Sequence, residues 1–365
     1  MNSENPLTAI EKHSCPACGA QAEWQPSKQQ LACGFCGTES PYEINRETGQ
    51  AEEIDLVAAL RELPEEHRGW REKKRTVRCQ SCDAVSVFDP ERVGANCDFC
   101  GSPSLVDYEE IKAPIRPQSL LPFKVDETHV RESLRSWFKG RWFAPSALSK
   151  NALVDTMRGL YIPYWTFDAR VDCDWAAEAG TYYTVQERVR DANGRVTVRP
   201  VQKVRWRYAS GKLNHVFDDE LVAGTQGVDA ALLREAEPFP TRDLVPYDTA
   251  YVSGFMVEHY RVVLIEAARK SREGMHRKLE RLCGARVPGD TYRNMRISPQ
   301  YSGETFKHIL VPVWLLRYDH HGKSYQILVN GYTGKIAGHY PKSFWKIAGA
   351  IAALLIVIGI AALFR

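Results

Sequence analysis

The sequence predicts two small β modules and an α+β domain with a mainly antiparallel sheet, followed by one C-terminal transmembrane helix. Three observations predict this arrangement. A four-cysteine pattern occurs twice near the N-terminus, the central part alternates apolar and polar residues as strands do, and the last residues form a long uncharged apolar run. The chain has 365 residues, of which 44% are hydrophobic, and is therefore long enough to form two or three domains.

The two small modules are an internal repeat. "CPACGAQAEWQPSKQQLACGFCG" and "CQSCDAVSVFDPERVGANCDFCG" align without a gap, and each reads C-x2-C, fourteen residues, C-x2-C. Two such turns facing each other supply four thiolates to a tetrahedral zinc ion. We therefore predict two zinc ribbons, residues 1–50 and 76–114, which bind two structural zinc ions. The predicted ligands are Cys15, Cys18, Cys33, Cys36, Cys79, Cys82, Cys97 and Cys100.

Disulfides and an iron–sulfur or redox role are the alternatives for these cysteines. The N-terminal residues lack the apolar segment of a signal peptide, which favours a reducing compartment over disulfides. The paired spacing is more typical of structural zinc than of a redox site. Every ligand position is a cysteine, so we expect no open coordination position for catalysis. Cys173 and Cys283 lie outside the repeat and are expected to be ordinary thiols.

Residues 51–75 between the ribbons are predicted to be a helical and basic linker. "AEEIDLVAALRELP" has apolar residues at helical spacing and stops at a proline, whereas "REKKRTVRC" is a short basic run. Residues 1–114 carry a net charge of −8, and the rest of the chain carries +11. Nucleic-acid binding draws its affinity from Lys and Arg at the phosphates, so acidic ribbons argue against it. The basic faces of the larger domain leave nucleic acid as an alternative partner.

The α+β domain, residues 115–343, begins with a predicted helix, "VDETHVRESLRSWFKG", which Asp126 caps and Gly140 ends. "YIPYWTFDARVD" and "LVPVWLLRYDHHGKSYQILVNGYTGKIAG" predict strands. "TYYTVQERVRDANGRVTVRPVQKVRWRY" predicts a hairpin that turns at "NG", with one buried aromatic face and one basic, solvated face. Residues 255–284 predict a long helix whose buried face includes Leu264, Ala268, Met275, Leu279 and Leu282.

No catalytic constellation is recognisable, and we do not expect an enzyme. The chain has no P-loop, G-x-S-x-G, H-E-x-x-H or helicase motif. His320 and His321 are adjacent, and neighbouring side chains on a strand point to opposite faces, which argues against a chelating pair. Asp168, Asp172 and Asp174 alternate along a strand and would share one face. Because no base or metal ligand accompanies them, we interpret them as solvated strand residues.

The C-terminal anchor, residues 344–365, contains the run "IAGAIAALLIVIGIAALF". These eighteen uncharged residues would form about 27 Å of helix. Phe344 and Trp345 stand where interfacial aromatic residues would lie, and the positive-inside rule places the preceding chain in the cytoplasm. We predict a tail-anchored, single-pass protein with its last helix in the lipid bilayer of the inner membrane. Small residues in the span would allow homo- or hetero-oligomers through this helix.

The order of these motifs resembles a family of bacterial membrane-anchored double zinc-ribbon proteins, often labelled primosomal protein N′-like or TFIIB-type zinc-ribbon proteins. The resemblance spans nearly the whole chain. It rests on the two cysteine repeats and on "LLPFKV", "RWFAP", "GLYIPYWTFDA", "YVSGFMVEHY" and "VNGYTGKIAG". Some relatives anchor an SPFH-domain protein and phage shock protein A at the membrane. The resemblance implies the eight zinc ligands and no partner-binding residues, and the missing helicase motifs exclude a helicase function.

We therefore expect a membrane-anchored zinc-ribbon adaptor that recruits a cytoplasmic protein partner to the inner membrane in envelope stress or membrane organisation. The resemblance implies that this partner is an SPFH-domain protein or similar to phage shock protein A. The acidic ribbons would project from the basic domain and bind this partner. The alternative is a membrane-tethered, nucleic-acid-binding zinc-ribbon protein that acts in replication or transcription.

Overall fold

The fold was derived from a computed structural model, which describes most of the chain beyond residue 115 and parts of both cysteine modules. The described residues are 13–39, 53–61, 75–81, 84–88, 97, 102, 104–107, 115–141, 157–190, 196–320, 323–340, 346, 349, 355, 357 and 358.

The first cysteine module is a hairpin of two short strands, β1 (Ala22–Gln25) and β2 (Gln30–Cys33), which pair antiparallel. Its apolar side chains alternate along β1, so Ala22 and Trp24 are buried while Glu23 is exposed. The next described elements are strand β3 (Ile54–Asp55) and helix α1 (Leu56–Arg61). The helix predicted for the linker is therefore present among the described residues, and there it begins at Leu56, after a strand.

The second cysteine module contributes three strands: β4 (Arg75–Cys79), β5 (Val85–Phe88) and β6 (Leu105–Asp107). Strand β4 pairs antiparallel with both of its neighbours. Strand β5 continues the sheet beyond this module.

The rest of the chain supplies four helices and eight strands to the described structure. In chain order they are β7 (Ser119–Leu120), α2 (Glu127–Lys139), β8 (Arg158–Arg190), β9 (Val196–Ala223), α3 (Ala230–Ala236), β10 (Val245–Pro246), α4 (Thr249–Val252), β11 (Met256–Glu258), α5 (Leu264–Gly284), β12 (Thr291–His320), β13 (Lys323–Asn330) and β14 (Ile336–Gly338).

Helix α2 confirms its prediction from the sequence. The carboxylate of Asp126 accepts a hydrogen bond of 2.8 Å from the backbone N–H of His129, which satisfies one of the free donors of the first turn. Gly140 follows the last turn as the C-cap residue. Val130 and Leu134 are buried on one face, as the apolar spacing predicts.

Three long antiparallel strands, in the order β9-β8-β12, form the centre of the sheet. Strand β8 has 33 residues, which at about 3.3 Å per residue corresponds to roughly 100 Å. The predicted hairpin is confirmed because Arg190 pairs with Val196, whereas its turn at residues 193–194 lies outside the described residues. The predicted buried aromatic face is wrong: Tyr208 is 76% exposed, since α5 packs on β9 farther along, around Leu213.

Helix α5 begins at Leu264 rather than at Phe255, which corrects the predicted start. The preceding residues form β11, which pairs parallel with β8 and antiparallel with β5. Backbone pairing on both sides of β11 outweighs the helical spacing of its apolar residues, because tertiary contacts override weak local propensities. Within the helix, Met275 and Leu279 are buried as predicted.

The second cysteine module is continuous with the central sheet. The path of neighbouring strands is β10-β7-β12-β8-β11-β5-β4-β6, with β3, β9 and β13 paired beside it and β14 paired to β13. At the junction, Val257 of β11 lies opposite Val87 of β5.

The predicted fold class, two small β zinc ribbons beside an α+β domain and a transmembrane helix, is therefore wrong. The described chain is mostly β-sheet, with its helices packed on that sheet. The repeat identifies a local motif, but motif spacing does not reveal that a strand of the motif has a partner distant in sequence.

The predicted transmembrane anchor also requires correction. Most of residues 344–365 lie outside the described residues, and among the described residues no helix is both long enough and apolar enough to span a bilayer. The predictions of a tail-anchored topology and of single-pass location in the inner membrane are therefore not supported. Hydropathy reports composition, whereas a span also requires one continuous helix of about 20 residues.

Candidate metal centre and the adjoining cleft

Four cysteines of the first module come together at one end of the β1–β2 hairpin. The sulfur atoms of Cys15, Cys18, Cys33 and Cys36 all lie within 4.8 Å of one another, with Cys15 and Cys36 3.5 Å apart and Cys18 and Cys33 3.6 Å apart. A tetrahedral zinc ion with Zn–S bonds of about 2.3 Å requires sulfur atoms about 3.8 Å apart. The four thiols can therefore hold a metal ion.

The backbone of both turns in the first module explains this arrangement. The N–H of Cys15 donates to the carbonyl of Ala20 over 2.7 Å, and the N–H of Cys33 donates to the carbonyl of Thr38 over 2.9 Å. Gly19 and Gly37 follow the second cysteine of each turn with φ of 73° and 74°. Glycine adopts this left-handed conformation without a steric penalty, so the sequence fixes the turn that directs both thiols to one side.

Two of the four thiols, Cys36 and Cys18, differ in how readily they ionise. Hydrogen bonding to the side chain and backbone of Thr38 lowers the pKa of Cys36 to about 6. The backbone of Ala20 lowers the pKa of Cys18, yet the neighbouring thiol of Cys36, with burial and the remaining thiols, raises it to about 12. Cys36 thus forms a thiolate readily, whereas Cys18 keeps its proton. Thiolates are the metal-binding form, so metal binding would displace the proton of Cys18.

The described residues of the second module repeat the backbone pattern of the first. The N–H of Cys79 donates to the carbonyl of Ala84 over 2.9 Å, and the N–H of Cys97 donates to the carbonyl of Ser102 over 2.7 Å. In both modules the acceptor lies five residues after the cysteine. Cys79 and Cys97 are buried, whereas the other two predicted ligands, Cys82 and Cys100, lie outside the described residues.

The first module packs on the body rather than projecting from it. The indole of Trp24, 3% exposed, donates to the carbonyl of Phe123 over 3.1 Å and packs edge-on against Tyr251 at 4.7 Å. The hydroxyl of Ser253 donates to the carbonyl of Ala22 over 2.8 Å. The four-thiol cluster is therefore held at a fixed position against the body.

A cleft of about 860 Å³ opens beside this hairpin, between β1 and the first turns of α2. Its aromatic walls include Trp24, Phe255 and Trp314. Four carboxylates line it, against the single guanidinium of Arg158. The four acidic residues are Glu23, Asp126, Glu127 and Glu132.

Two of those carboxylates are engaged within the protein. Asp126 caps α2, and Glu127 pairs with Arg131. Glu23 and Glu132 are exposed and form no ion pair with another described residue. The cleft therefore combines an apolar wall with negative charge that is open to a partner.

The structure separates the aspartates that the sequence places on one strand face. Asp172 accepts a hydrogen bond of 2.7 Å from Asn214, and Asp174 lies 3.6 Å from Lys212 at the surface. Asp168 is instead mostly buried and faces Lys307 at 3.8 Å. The side chain of His320 and all of His321 lie outside what the structure describes. Among the described residues, the four thiols are the only group of His, Cys, Asp or Glu side chains close enough together to hold a metal ion.

The two cysteines outside the repeat belong to one core cluster. Cys173 on β8 and Cys283 on α5 are both buried and unbridged. Burial, with the neighbouring Cys173, raises the pKa of Cys283 to about 12, so it is a protonated, apolar thiol.

Sequence reasoning missed the cleft. Glu23, Glu132 and Phe255 are far apart in sequence and carry no motif, so only the tertiary fold places them around one cleft. The single available signal was the acidic character of the first 114 residues.

No family model matches the chain, and no solved structure matches it. It is similar to a protein described as "Uncharacterized protein YdjG" from Bacillus subtilis (strain 168). The two sequences are 24% identical over 356 residues, which covers 93% of this chain and 92% of the relative. The likeness therefore covers nearly the whole length of both chains.

Proposed function

We propose that this protein is a zinc-binding adaptor, in which the metal ions fix the two cysteine modules and the first module, together with α2, binds a basic segment of a protein partner. The cleft that joins Trp24, Glu23 and Glu132 is the observation that carries this proposal.

Zinc is the metal that best suits the four thiols. Their spacing is close to that of a tetrahedral all-sulfur site, and such sites have no open coordination position, so the metal would stabilise structure rather than perform catalysis. Cys79, Cys82, Cys97 and Cys100 would bind a second zinc ion. The repeated hydrogen bonds at Cys79 and Cys97 support that assignment.

The partner is expected to be basic because the open carboxylates of the cleft have no described counterion. Complementary charge steers association and selects partners, while the buried aromatic wall supplies most of the affinity. A segment with Lys or Arg flanking one or two apolar side chains fits both features. The sequence resemblance implies candidates for this partner: an SPFH-domain protein or a protein similar to phage shock protein A.

The metal assignment is tested by elemental analysis of the purified full chain. We expect two zinc ions per chain, and one in a Cys15→Ser/Cys18→Ser variant. The matched Cys173→Ser variant, which changes a cysteine outside the repeat, should keep two. A single zinc ion in the unaltered chain would contradict the second site, and iron in place of zinc would contradict the structural role.

The adaptor role is tested by affinity capture from a nuclease-treated cell extract, followed by calorimetry with the purified partner. A Glu23→Lys/Glu132→Lys variant reverses the open charges of the cleft and should weaken binding at least tenfold, which is about 1.4 kcal/mol. The control variant Glu266→Lys/Glu280→Lys makes the same charge change on α5 and should bind normally.

Two outcomes would contradict the adaptor role. The first is equal binding by the cleft variant and the control. The second is salt-dependent binding of labelled DNA by the full chain with no protein partner captured, which would favour the nucleic-acid alternative.

A further inference from the structure

A second cleft, of about 870 Å³, lies at the end of β9. Helices α3 and α5, the last residues of β9 and residues 225–229 line it. It shares no lining residue with the cleft beside the first cysteine module. An inference about it is therefore independent of the adaptor proposal.

Two buried hydroxyl groups in the lining of this cleft make no hydrogen bond to another described residue. Tyr164 on β8 is 1% exposed and Ser271 on α5 is 5% exposed. Buried polar side-chain atoms in folded proteins nearly always have a partner, which is protein, water or ligand. Two such groups in one cleft indicate a place for polar atoms that the protein itself does not supply.

One face of α5 presents cations to the same cleft. Four residues of this face line the cleft and follow one another within about two helical turns. They are Lys270, Ser271, Gly274 and Arg277. Gly274 has no side chain, and the atom nearest to a side chain placed there would be the guanidinium of Arg277, at 4.0 Å. A ligand can therefore approach the helix backbone between the two cations, with the Ser271 hydroxyl beside it.

The acidic residues around the cleft are already engaged. Glu220 pairs with Lys278 at 2.5 Å, and Asp229 caps α3 by accepting from the N–H of Ala231 over 2.6 Å. Burial raises the pKa of Glu237, and the neighbouring charges of Arg234 and Lys335 oppose that shift. Arg277 forms no ion pair with a described carboxylate. Lys270 pairs with Glu266 of the same helix at 2.8 Å. Arg277 is therefore the cation of this cleft whose charge no described carboxylate balances.

The remaining wall is apolar. Leu221 and Val222 at the end of β9 and the buried side chains of Val228 and Leu233 line the cleft opposite α5. A ligand that fills the site needs an apolar body as well as a charged end, because small-molecule sites combine an apolar lining with a few placed polar groups.

We propose that this cleft binds a small organic anion, with its carboxylate, sulfonate or phosphate group over Gly274 between Lys270 and Arg277, and its apolar body against Val222 and Leu233. The Ser271 hydroxyl donates to the anionic group. The Tyr164 hydroxyl bonds a polar atom at the inner end of the ligand.

The test uses 8-anilinonaphthalene-1-sulfonate, a fluorescent organic anion, titrated into the full chain at low salt. We expect saturable binding of one probe per chain. A Lys270→Ala/Arg277→Ala variant should weaken it at least about tenfold. A Gly274→Leu variant should abolish it by filling the space over the helix. Circular dichroism checks that each variant is folded, and the two alanine changes are at exposed positions.

The matched control is Arg269→Ala/Arg272→Ala, which removes two cations of the same helix that line the neighbouring groove against α1 instead. Its affinity should be unchanged. N-phenyl-1-naphthylamine, which has the same rings without the sulfonate, should bind more weakly than the anion.

Three results would each overturn the proposal. They are a larger loss in the control than in the Lys270→Ala/Arg277→Ala variant, equal affinity for the neutral probe, and absence of saturable binding by the unaltered chain.

Discussion

At the scale of single residues, Lys307 is the centre of a mostly buried charge cluster. Its side chain is 8% exposed, and its ammonium lies 2.8 Å from Asp219, 3.3 Å from Glu53 and 3.8 Å from Asp168. Burial lowers the pKa of Lys307. The hydrogen bond to Asp219 and the negative charges of the three carboxylates outweigh burial and raise this pKa above its usual range. One cation thus joins β8, β9, β12 and the residue that precedes β3.

We predict that Lys307→Met lowers the free energy of unfolding by about 3–5 kcal/mol, because it leaves buried carboxylates without their cation. Urea denaturation measures the change. A Lys307→Met/Asp168→Asn/Asp219→Asn variant should recover most of the loss, since asparagine also tolerates the left-handed backbone of Asp219, whose φ is 52°. A loss below about 1 kcal/mol in the single variant would show that water solvates the carboxylates.

His308 is a buried titratable residue of the same strand. Its ring stacks on Trp165 at 4.9 Å, and its Nδ1 lies 2.8 Å from the carbonyl of Ile115. Burial lowers the pKa of His308 to about 3, so the folded protein keeps this ring neutral. In the unfolded chain His308 takes up a proton near pH 6.5. The contribution of His308 to stability is therefore present above that pH and declines as the pH falls towards 3.

We predict that protonation of His308 in the unfolded chain lowers the free energy of unfolding by about 2 kcal/mol between pH 7 and pH 5. A His308→Gln variant should therefore lose about 2 kcal/mol less than the unaltered chain over this interval, as measured by urea denaturation at each pH. The His129→Gln variant, which removes an exposed histidine, is measured beside it as the control. Parallel pH curves for the His308 variant and the unaltered chain would refute the prediction.

At the scale of elements, the contact between hairpin β1–β2 and the body depends on Trp24. Its ring occupies one core cluster with Leu120, Tyr161 and Tyr251, and Gln29 of the same hairpin donates to the carbonyl of Phe123 over 2.8 Å. The zinc ion would fix one end of this hairpin, while Trp24 holds its other end against the sheet.

We predict that Trp24→Ala destabilises the protein by about 3–5 kcal/mol, as large cavities in cores do, without reducing the zinc content. Trp24→Phe keeps part of the ring packing but loses the hydrogen bond to the carbonyl of Phe123, so its loss of stability should be smaller, about 1–3 kcal/mol. Thermal unfolding and zinc analysis of both variants are the measurements. Loss of zinc in Trp24→Ala would mean that the metal site does not form without docking.

At the scale of the whole molecule, the two cysteine modules and the long sheet form one structure. Strand β5 of the second module pairs with β11, and Cys79 and Cys97 belong to a core cluster that includes Leu160 and Ile162 of β8. The first module supplies Ala22, Trp24 and Leu31 to another cluster. Removal of both modules would therefore expose the edge of β11 and two core surfaces.

We predict that a chain beginning at residue 115 does not form a stable fold, because exposed strand edges and apolar surfaces favour aggregation. Size-exclusion chromatography and calorimetry measure this. The full chain should unfold in one cooperative transition, and zinc chelation should lower its transition temperature. A shortened chain that remains monomeric with an unchanged transition temperature would show that the modules are independent of the sheet.

The sequence by itself determined the local features of this protein. Several local features follow from residues close together in the chain: the cysteine turns, the left-handed glycines after Cys18 and Cys36, the cap of α2 at Asp126 and the pairing of the long hairpin. Such features depend on backbone sterics and short-range hydrogen bonds, which a pattern of neighbouring residues specifies.

Only the tertiary structure decided how these parts combine. Strand β11 has the apolar spacing of a helix and becomes a strand because Leu160 and Val87 pair with it on either side. No sequence pattern predicts three further features of the structure. They are the cleft at Glu23, the charge cluster at Lys307 and the buried hydroxyls of Tyr164 and Ser271. Their partners are more than a hundred residues away or on other elements, and burial and charge balance arise only when the sheet brings those distant segments into contact.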